Sequence, residues 1–148
     1  MNYLLDTCVI SEYSKKKLNQ PVIKWLDDQQ KDSLFISILT IAELKKGIFK
    51  IRKSQPERYT KLNKWIKILE KQFDGRILSL SQEILNTWAE ITGESEANGN
   101  KLSIMDSLIG ATALEYNLII VTRNVSDFNF SLFKVFSPWE INRDNEMQ

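Results

Sequence analysis

Short apolar runs alternate along the chain with longer segments whose apolar residues recur at helical spacing. Four runs are strand-sized, at residues 3–5, 34–36, 77–80 and 118–121, and a fifth at residues 133–136 would suit an edge strand. The intervening segments are typical of amphipathic helices, and connections of this length join parallel strands. The alternation therefore predicts an α/β fold, with a central parallel sheet of four to five strands flanked by helices.

The length of 148 residues suits one domain with a proper hydrophobic core. We expect a single domain over residues 1–141, a polar loop at residues 94–101 and a C-terminal tail at residues 142–148. No apolar stretch approaches the roughly 18 residues of a membrane span, and the first residues do not have the pattern of a signal peptide. These features favour a cytoplasmic protein with no membrane partner.

The chain contains no histidine and one cysteine, and these two counts exclude most catalytic chemistries. Without histidine there is no Ser-His-Asp or Cys-His nucleophile and no histidine-ligated zinc. A single cysteine forms neither an internal disulfide nor a thiolate zinc cluster. An enzyme of this composition must depend on carboxylates, lysines, hydroxyls or a metal ion held by oxygen.

Four acidic residues are predicted to meet at one edge of the sheet. In a parallel sheet the carboxyl ends of the strands share an edge, and ligands bind outside it. Asp6 directly follows the first apolar run, Glu43 lies in the first turns of the helix after the second, and Asp127 lies in the loop after the fourth. Asp106 precedes its strand by a helix of about 15 Å, which is about the length of a strand and brings it level with the same edge.

Four neighbouring carboxylates repel one another, so such a site requires a cation. Oxygen ligands alone suit Mg²⁺ or Mn²⁺. With a substrate phosphate in place, such an ion activates water and stabilises the leaving oxygen of an in-line displacement. The acids therefore indicate a metal-dependent nuclease or phosphatase, which needs no histidine.

Each acid also has a structural interpretation. Asp6 could cap the helix that begins near Thr7, and Thr40 with Glu43 matches a capping box. Asp127 lies among ordinary turn residues. Asp106 is the hardest of the four to explain in this way, because its helix is mostly apolar and no basic residue lies four positions away.

Four segments, in this order and spacing, resemble the PIN-domain ribonucleases, above all the VapC toxins of VapBC toxin–antitoxin pairs and their FitB-like branch. The resemblance extends from Asn2 to about Glu140, and the matching segments are Tyr3-Leu4-Leu5-Asp6-Thr7, Thr40-Ile41-Ala42-Glu43-Leu44, Asp106-Ser107-Leu108-Ile109-Gly110-Ala111, and Ile120-Val121-Thr122-Arg123-Asn124 followed by Asp127-Phe128. Any one of these segments is a weak signal. All four together are specific to the family.

The resemblance implies a PIN-type α/β sheet and a four-acid site for Mg²⁺ or Mn²⁺ that cleaves RNA phosphodiester bonds. The family's acids fall on the four residues already reached from topology, with Asp6 and Asp106 as direct metal ligands and Glu43 and Asp127 binding directly or through water. Supporting roles fall on Thr7, Thr122 and Asn124. The implied partners are an RNA substrate such as tRNA, a VapB-like antitoxin and a second copy of the chain, with a higher assembly in the antitoxin complex. The alternative is a PIN-like module that binds RNA or antitoxin without cutting.

Cys8 departs from the family pattern, which commonly has Asn after the Asp-Thr pair. A thiol lacks the donor and acceptor pair of an amide, so hydrogen bonding around the site should differ. A phosphatase-type nucleophile would need Arg at position 14, which is Ser14, and an aspartate-nucleophile phosphatase would need an acid at position 8. We expect Cys8 to be a small buried hydrophobe.

The net charge of +1 conceals a division between the two halves of the chain. Residues 1–74 hold 15 basic and 9 acidic side chains, and residues 45–71 alone hold 10 basic and 2 acidic ones. A solvated helix face explains this excess from charge alone, but beside an acidic metal site it would draw phosphate inward. The candidate RNA-binding residues are Lys45, Lys46, Lys50, Arg52 and Lys53.

Overall fold

A computed structural model describes residues 1–128 and 132–141. Five parallel strands form one sheet in the order β3-β2-β1-β4-β5. They are β1 Tyr3–Leu5, β2 Leu34–Ser37, β3 Ile77–Leu78, β4 Ile119–Val121 and β5 Val135–Phe136. The parallel sheet predicted from the apolar runs is confirmed, and the last run does form the edge strand. The predicted tail at residues 142–148 lies outside the described residues.

Helices connect the strands and cover both faces of the sheet. They are α1 Thr7–Ser11, α2 Gln20–Asp28, α3 Ile38–Lys50, α4 Pro56–Gln72, α5 Gln82–Ala97 and α6 Ile104–Glu115, with short 3₁₀ turns at Glu12–Ser14, Lys31–Ser33 and Val125–Phe128. One core packs Leu5, Ile36 and Val121 against the helices on one face of the sheet, and a second packs Leu4 and Ile120 against α6. No helix in the described ranges is long and apolar enough to cross a bilayer.

Polar caps fix where the helices begin. Asp6, Asn19, Ser81 and Ser103 each accept a hydrogen bond from a backbone N–H in the first turn of the helix that follows. The first residue of a helix thus follows directly from local side-chain chemistry, and Asp6 ties the start of α1 to the end of β1.

The capping box read from Thr40 and Glu43 is wrong. Helix α3 begins one turn earlier, where the Ser37 hydroxyl accepts a hydrogen bond from the Leu39 N–H at 3.1 Å. Thr40 is fully buried, and its hydroxyl lies 3.5 Å from that of Thr7. Glu43 is therefore free of any capping role.

The polar loop predicted at residues 94–101 is shorter than expected, since α5 continues to Ala97. A buried serine in this polar stretch stabilises the end of the helix, because the Ser95 hydroxyl donates to the Asn100 carbonyl at 2.7 Å. The chain then leaves the helix at Gly99, whose φ of 84° suits glycine.

Candidate metal and catalytic site

Asp6 is the most firmly fixed of the four acids. Its backbone N–H donates to the Val121 carbonyl of β4 at 2.9 Å, which holds the residue at the carboxyl end of the sheet. One carboxylate oxygen, Oδ1, accepts from the Thr7 N–H at 2.8 Å, and the other, Oδ2, accepts from the Thr122 hydroxyl at 2.9 Å. Asp6 is thus both a helix cap and an oriented carboxylate at the sheet edge, so the two interpretations of its role are compatible.

Glu43 approaches Asp6 through Thr7. Helix α3 leaves the carboxyl end of β2, and Glu43 lies in its second turn, half-buried. The Thr7 hydroxyl donates to Glu43 Oε1 at 3.1 Å, while the Thr7 backbone holds Asp6. One threonine therefore positions two carboxylates that follow the neighbouring strands β1 and β2 in the chain.

Asp106 and Asp127 belong to the segments before and after β4, which lies on the side of β1 opposite to β2. Asp106 is half-buried in the first turn of α6, and its N–H donates to the Ser103 hydroxyl at 3.3 Å. Asp127 is exposed in the 3₁₀ turn after β4, and its N–H donates to the Asn124 carbonyl at 3.0 Å. The Asn124 N–H in turn donates to the Thr122 hydroxyl at 3.2 Å, so the turn is linked to the same threonine that orients Asp6.

Electrostatics connect all four carboxylates. The pKa of Glu43 is raised, first by partial burial and then by the charges of Asp6 and Asp106, against a lowering effect of the Thr7 hydrogen bond and the Lys46 charge. The pKa of Asp106 is raised by partial burial and by the charges of Asp127 and Asp6. The charges of neighbouring acids therefore add to the rise in pKa that burial causes at Glu43 and Asp106, as expected where carboxylates share a site that suits a cation.

The donor set fits a hard divalent cation, although it forms no complete cage of protein ligands. Over residues 1–128 and 132–141, no three Asp, Glu, His or Cys side chains are close enough together to hold a metal ion. Mg²⁺ commonly binds through one or two carboxylates and completes its shell with water and substrate phosphate. The oxygen-only donors and their mutual repulsion suit that mode of binding.

Cys8 is not the buried hydrophobe expected from the sequence. It is half-buried at the edge of the core, and its sulfur lies 3.8 Å from Asp6 Oδ2 and 3.6 Å from the Thr122 hydroxyl. The Arg123 N–H donates to the sulfur at 3.4 Å. Sequence reasoning missed this contact with the β4 loop, since nothing local to Cys8 indicates it.

The five basic candidates for RNA binding fall into different environments. Lys45 pairs with Glu70 at 3.1 Å, and the Arg52 guanidinium lies 5.3 Å from the centroid of the Tyr59 ring. Lys46 lies one helical turn beyond Glu43, and its charge acts on that carboxylate. Lys50 is exposed one turn further along α3, and Lys53 is exposed in the turn that follows. Lys46 and Lys50 therefore form the row of cations that leads from the acids.

The PIN domain family matches residues 3–129 of the chain. The plasmid stability protein StbB of Pseudomonas syringae pv. tomato is 34% identical over 93% of this chain and 98% of its own length. Toxin FitB of Neisseria gonorrhoeae is 31% identical over 92% and 97%, and the VapC ribonuclease Y4jK of Sinorhizobium fredii is 28% identical over 93% and 97%. These likenesses cover nearly the whole of each protein.

Solved structures agree with the sequence relatives. The crystal structure of FitAcB from Neisseria gonorrhoeae contains a chain that is 29% identical, with a TM-score of 0.87 and coverage of 94% of this chain and 99% of that one. A toxin-antitoxin complex from Klebsiella pneumoniae contains a chain that is 25% identical, with a TM-score of 0.65 and coverage of 95% and 100%. The fold, the matched residues and these relatives agree: the chain belongs to the PIN-domain family, in its FitB-like branch.

Proposed function

We propose that this protein is a divalent-metal-dependent endoribonuclease and the toxin of a toxin–antitoxin pair, acting on RNA in the cytoplasm. One observation carries the proposal: acidic residues from four separate segments lie at the carboxyl edge of the sheet, and the charges of Asp6, Asp106 and Asp127 contribute to the raised pKa of Glu43 or Asp106. Carboxylates that repel one another in this way are typical of a site that binds a cation. The names of the relatives, a toxin and a ribonuclease among them, support the same conclusion.

Asp6 and Asp106 are the proposed direct ligands of Mg²⁺ or Mn²⁺, with Glu43 and Asp127 binding directly or through water. A cation held by these residues would supply positive charge that favours ionisation of water and stabilises the leaving oxygen of a phosphodiester. The Thr122 hydroxyl fixes the Asp6 carboxylate, and Thr7 fixes both Asp6 and Glu43. Asn124, exposed beside Asp127, is in a position to hold water or phosphate.

Cations beside the acids support RNA as the substrate. A phosphodiester must approach four carboxylates that repel it, so positive charge on the path of approach lowers the barrier to binding. Lys46 and Lys50 provide that charge on the face of α3 that carries Glu43. Lys45 and Arg52 have smaller proposed roles, because Glu70 and Tyr59 already engage them.

A VapB-like antitoxin and a second copy of the chain are the proposed protein partners. Among the described residues several large apolar side chains are exposed, and five of them are more than half exposed: Met1 at 89%, Phe49 at 56%, Ile68 at 56%, Ile104 at 65% and Leu132 at 52%. Scattered exposed apolar side chains are ordinary on a single domain, so support for the antitoxin comes from the relatives: similar chains occur in FitAcB of Neisseria gonorrhoeae and in a toxin-antitoxin complex of Klebsiella pneumoniae. Size-exclusion chromatography with light scattering, alone and with the product of an adjacent small gene, tests both partnerships.

Incubation of the purified protein with total RNA and Mg²⁺ tests the enzymatic proposal. We expect cleavage products that chelator abolishes, and a loss of at least about 100-fold in rate for Asp6→Asn and Asp106→Asn, since even residues that only support metal ligands cost 10–100-fold. Asp28→Asn is the matched control, because it makes the same isosteric change at an exposed acid at the end of α2. Melting curves of all three variants verify that they fold.

Two outcomes would contradict the enzymatic proposal. Products that persist in chelator would indicate a contaminating nuclease. RNA binding without cleavage, unchanged in both active-site variants, would favour the alternative of a non-cleaving RNA- or antitoxin-binding module. Where cleavage is found, mapping of RNA 5′ ends after brief expression identifies the substrate, and tRNA is the first class to examine.

A further inference from the structure

A basic pocket lies at the ends of β4 and β5, next to the Thr122 that holds Asp6. It has a volume of about 370 Å³, and the residues of chemical interest that line it are Glu12, Lys15, Lys17, Arg123 and Trp139. Arg123 directly follows Thr122, whose hydroxyl holds Asp6, and the Thr122 N–H donates to the Phe136 carbonyl at 3.0 Å. The pocket is thus built on the same backbone that positions the first acid.

The cations of this pocket surround an aromatic ring. The Arg123 guanidinium lies over the Trp139 ring at 5.8 Å from its centroid, and Lys15 and Lys17 are exposed at the rim. Trp139 is only partly buried, with its remaining surface packed against the core. Planar guanidinium and indole groups beside lysines are the side chains that bind bases and phosphates of single-stranded nucleic acid.

Glu12 organises the floor of the pocket. It is 2% exposed, accepts a hydrogen bond from the Asn19 N–H at 2.8 Å, and lies 2.9 Å from the Lys15 ammonium. Burial by itself raises the pKa of this carboxyl, but Lys15, the Asn19 N–H and the Arg123 charge hold it below the ordinary value. Glu12 therefore stays ionised and holds Lys15 in place. Its single negative charge faces the three positive charges of Lys15, Lys17 and Arg123, so the lining of the pocket keeps a net positive charge.

We propose that this pocket binds a nucleotide of the RNA strand adjoining the phosphate at the four acids, with its phosphate against Lys17 and Arg123 and its base against the Trp139 ring. The inference rests on the proposed function and extends it to a specific substrate subsite. The volume is within the range of pockets that bind small ligands.

The position of the pocket favours RNA over a protein partner. In the strand order, β1 lies between β2 and β4, so the acids separate the Lys46 and Lys50 row on α3 from the pocket at the ends of β4 and β5. An RNA strand that crosses the acids therefore meets cations on both sides. The buried core of a protein interface is depleted of charged residues, whereas Lys15, Lys17 and Arg123 line this pocket.

Paired lysine variants test the pocket. Lys16 and Lys17 are adjacent and exposed, but only Lys17 lines the pocket, so Lys16→Glu is a matched control for Lys17→Glu. Arg123→Lys keeps the charge and removes the planar group over Trp139. The probe is a fluorescein-labelled single-stranded oligoribonucleotide of about ten nucleotides, bound in Mg²⁺ by protein carrying Asp106→Asn to prevent cleavage.

We expect Lys17→Glu to weaken RNA binding by about 10-fold at about 0.1 M salt and to reduce the slope of log affinity against log salt by about one, as loss of a phosphate contact does. Lys16→Glu should change affinity by less than about threefold. Arg123→Lys should weaken binding with the salt slope nearly unchanged, because it loses stacking while it keeps its charge.

The results separate the pocket from the nuclease. Equal losses for Lys16→Glu and Lys17→Glu, with Arg123→Lys like wild type, would overturn the pocket even where the wild type cleaves RNA. Pocket-dependent binding in a wild type that never cleaves would support the pocket and overturn the nuclease. Variants that bind RNA normally but no longer bind the antitoxin would assign the surface to a protein partner and overturn the inference.

Discussion

Glu12 and the four acids at the sheet edge place carboxylates in two contrasting environments. Glu12 is almost fully buried, whereas Asp6, Glu43 and Asp106 are half-exposed and Asp127 is exposed. Burial raises the pKa at Glu12, Glu43 and Asp106 alike, yet the net shift is downward at Glu12 and upward at Glu43 and Asp106. The difference lies in the neighbours, which are cations and an N–H at Glu12 and other carboxylates at the sheet edge.

The contrast shows how a structural acid differs from a ligand-binding one. At Glu12 the protein supplies the opposite charge itself, so the carboxylate stabilises the fold without any ligand. At the sheet edge the compensating charge must come from outside, so the folded protein alone bears the repulsion. Burial is therefore a poorer guide to a functional acid than the sign of the surrounding charge.

The largest expected effect on stability is at Glu12. Glu12→Gln should lower the free energy of unfolding by about 1–3 kcal/mol, because it removes a buried charge that Lys15 and the Asn19 N–H satisfy. Urea denaturation measures the loss, and Asp28→Asn serves as an exposed control. A Glu12→Gln variant as stable as wild type would contradict the view that this carboxylate is compensated.

The pH dependence of that loss has a definite sign. A carboxyl whose pKa is lower in the folded state contributes stability above its ordinary pKa and loses that contribution as the pH falls through the folded value. The difference between wild type and Glu12→Gln should therefore be full at neutral pH and shrink below about pH 4. A difference that grows in acid would assign the effect to packing instead of charge.

At the sheet edge the largest effect expected of a supporting residue is at Thr122. Thr122→Val removes the hydroxyl that donates to Asp6 and keeps the shape of a fully buried side chain. We expect the rate of RNA cleavage to fall about 10–100-fold, as for other residues that orient metal ligands. Thr112→Val is the matched control, because Thr112 is equally buried but donates within α6 to the Leu108 carbonyl. Equal rates of RNA cleavage for the two variants would show that the Thr122 hydroxyl has no role at the site.

The sequence indicates the sheet and the meeting of the acids because both follow from order along the chain. An apolar run that ends in Asp6 fixes that residue at the strand end, and parallel strands share an edge. Helix α3 was less predictable, because Ser37 and Thr40 are equally good caps by type. In the structure Ser37 is the cap, whereas the Thr40 hydroxyl is buried and lies near that of Thr7, which is distant in sequence.

The basic pocket was beyond sequence reasoning for the same physical reason. Its groups come from the turn after α1, the end of β4 and the chain after β5, so only the sheet order brings them together. No periodicity or spacing relates Lys17 to Arg123. Trp139 resembles a core residue from sequence, and the structure shows that it is one on part of its surface.

At Asp106 we expect a smaller effect on stability, and one of opposite sign to that at Glu12. Asp106→Asn removes one of the repelling charges, so without metal it should stabilise the fold by a fraction of 1 kcal/mol at neutral pH, or about 1–3 °C in melting temperature. A raised carboxyl pKa means that the repulsion appears as the pH rises through it, so the advantage should vanish in acid. Added Mg²⁺ should raise the melting temperature of wild type more than that of the variant.

Melting scans of wild type and Asp106→Asn in chelator and in Mg²⁺ test whether the variant is the more stable protein only without metal, with Asp28→Asn as the control. If Asp106→Asn is less stable than wild type in chelator, the four acids do not share a repulsive site. Such a result would mean that Asp106 and Glu12 differ only in burial and not in the sign of the surrounding charge.

The smallest effect is expected at Cys8, which lies between Asp6 and Glu12 in sequence. Burial raises the pKa of the thiol, with a further contribution from the Asp6 charge, so the sulfur stays protonated and unreactive at neutral pH. We expect Cys8→Ala to change the cleavage rate by less than about threefold, or well under 1 kcal/mol of activation free energy. Iodoacetamide should label the folded protein more slowly than the same chain in urea. Rapid labelling together with loss of cleavage in Cys8→Ala would show instead that the sulfur takes part in the chemistry, and that the acids alone do not account for the site.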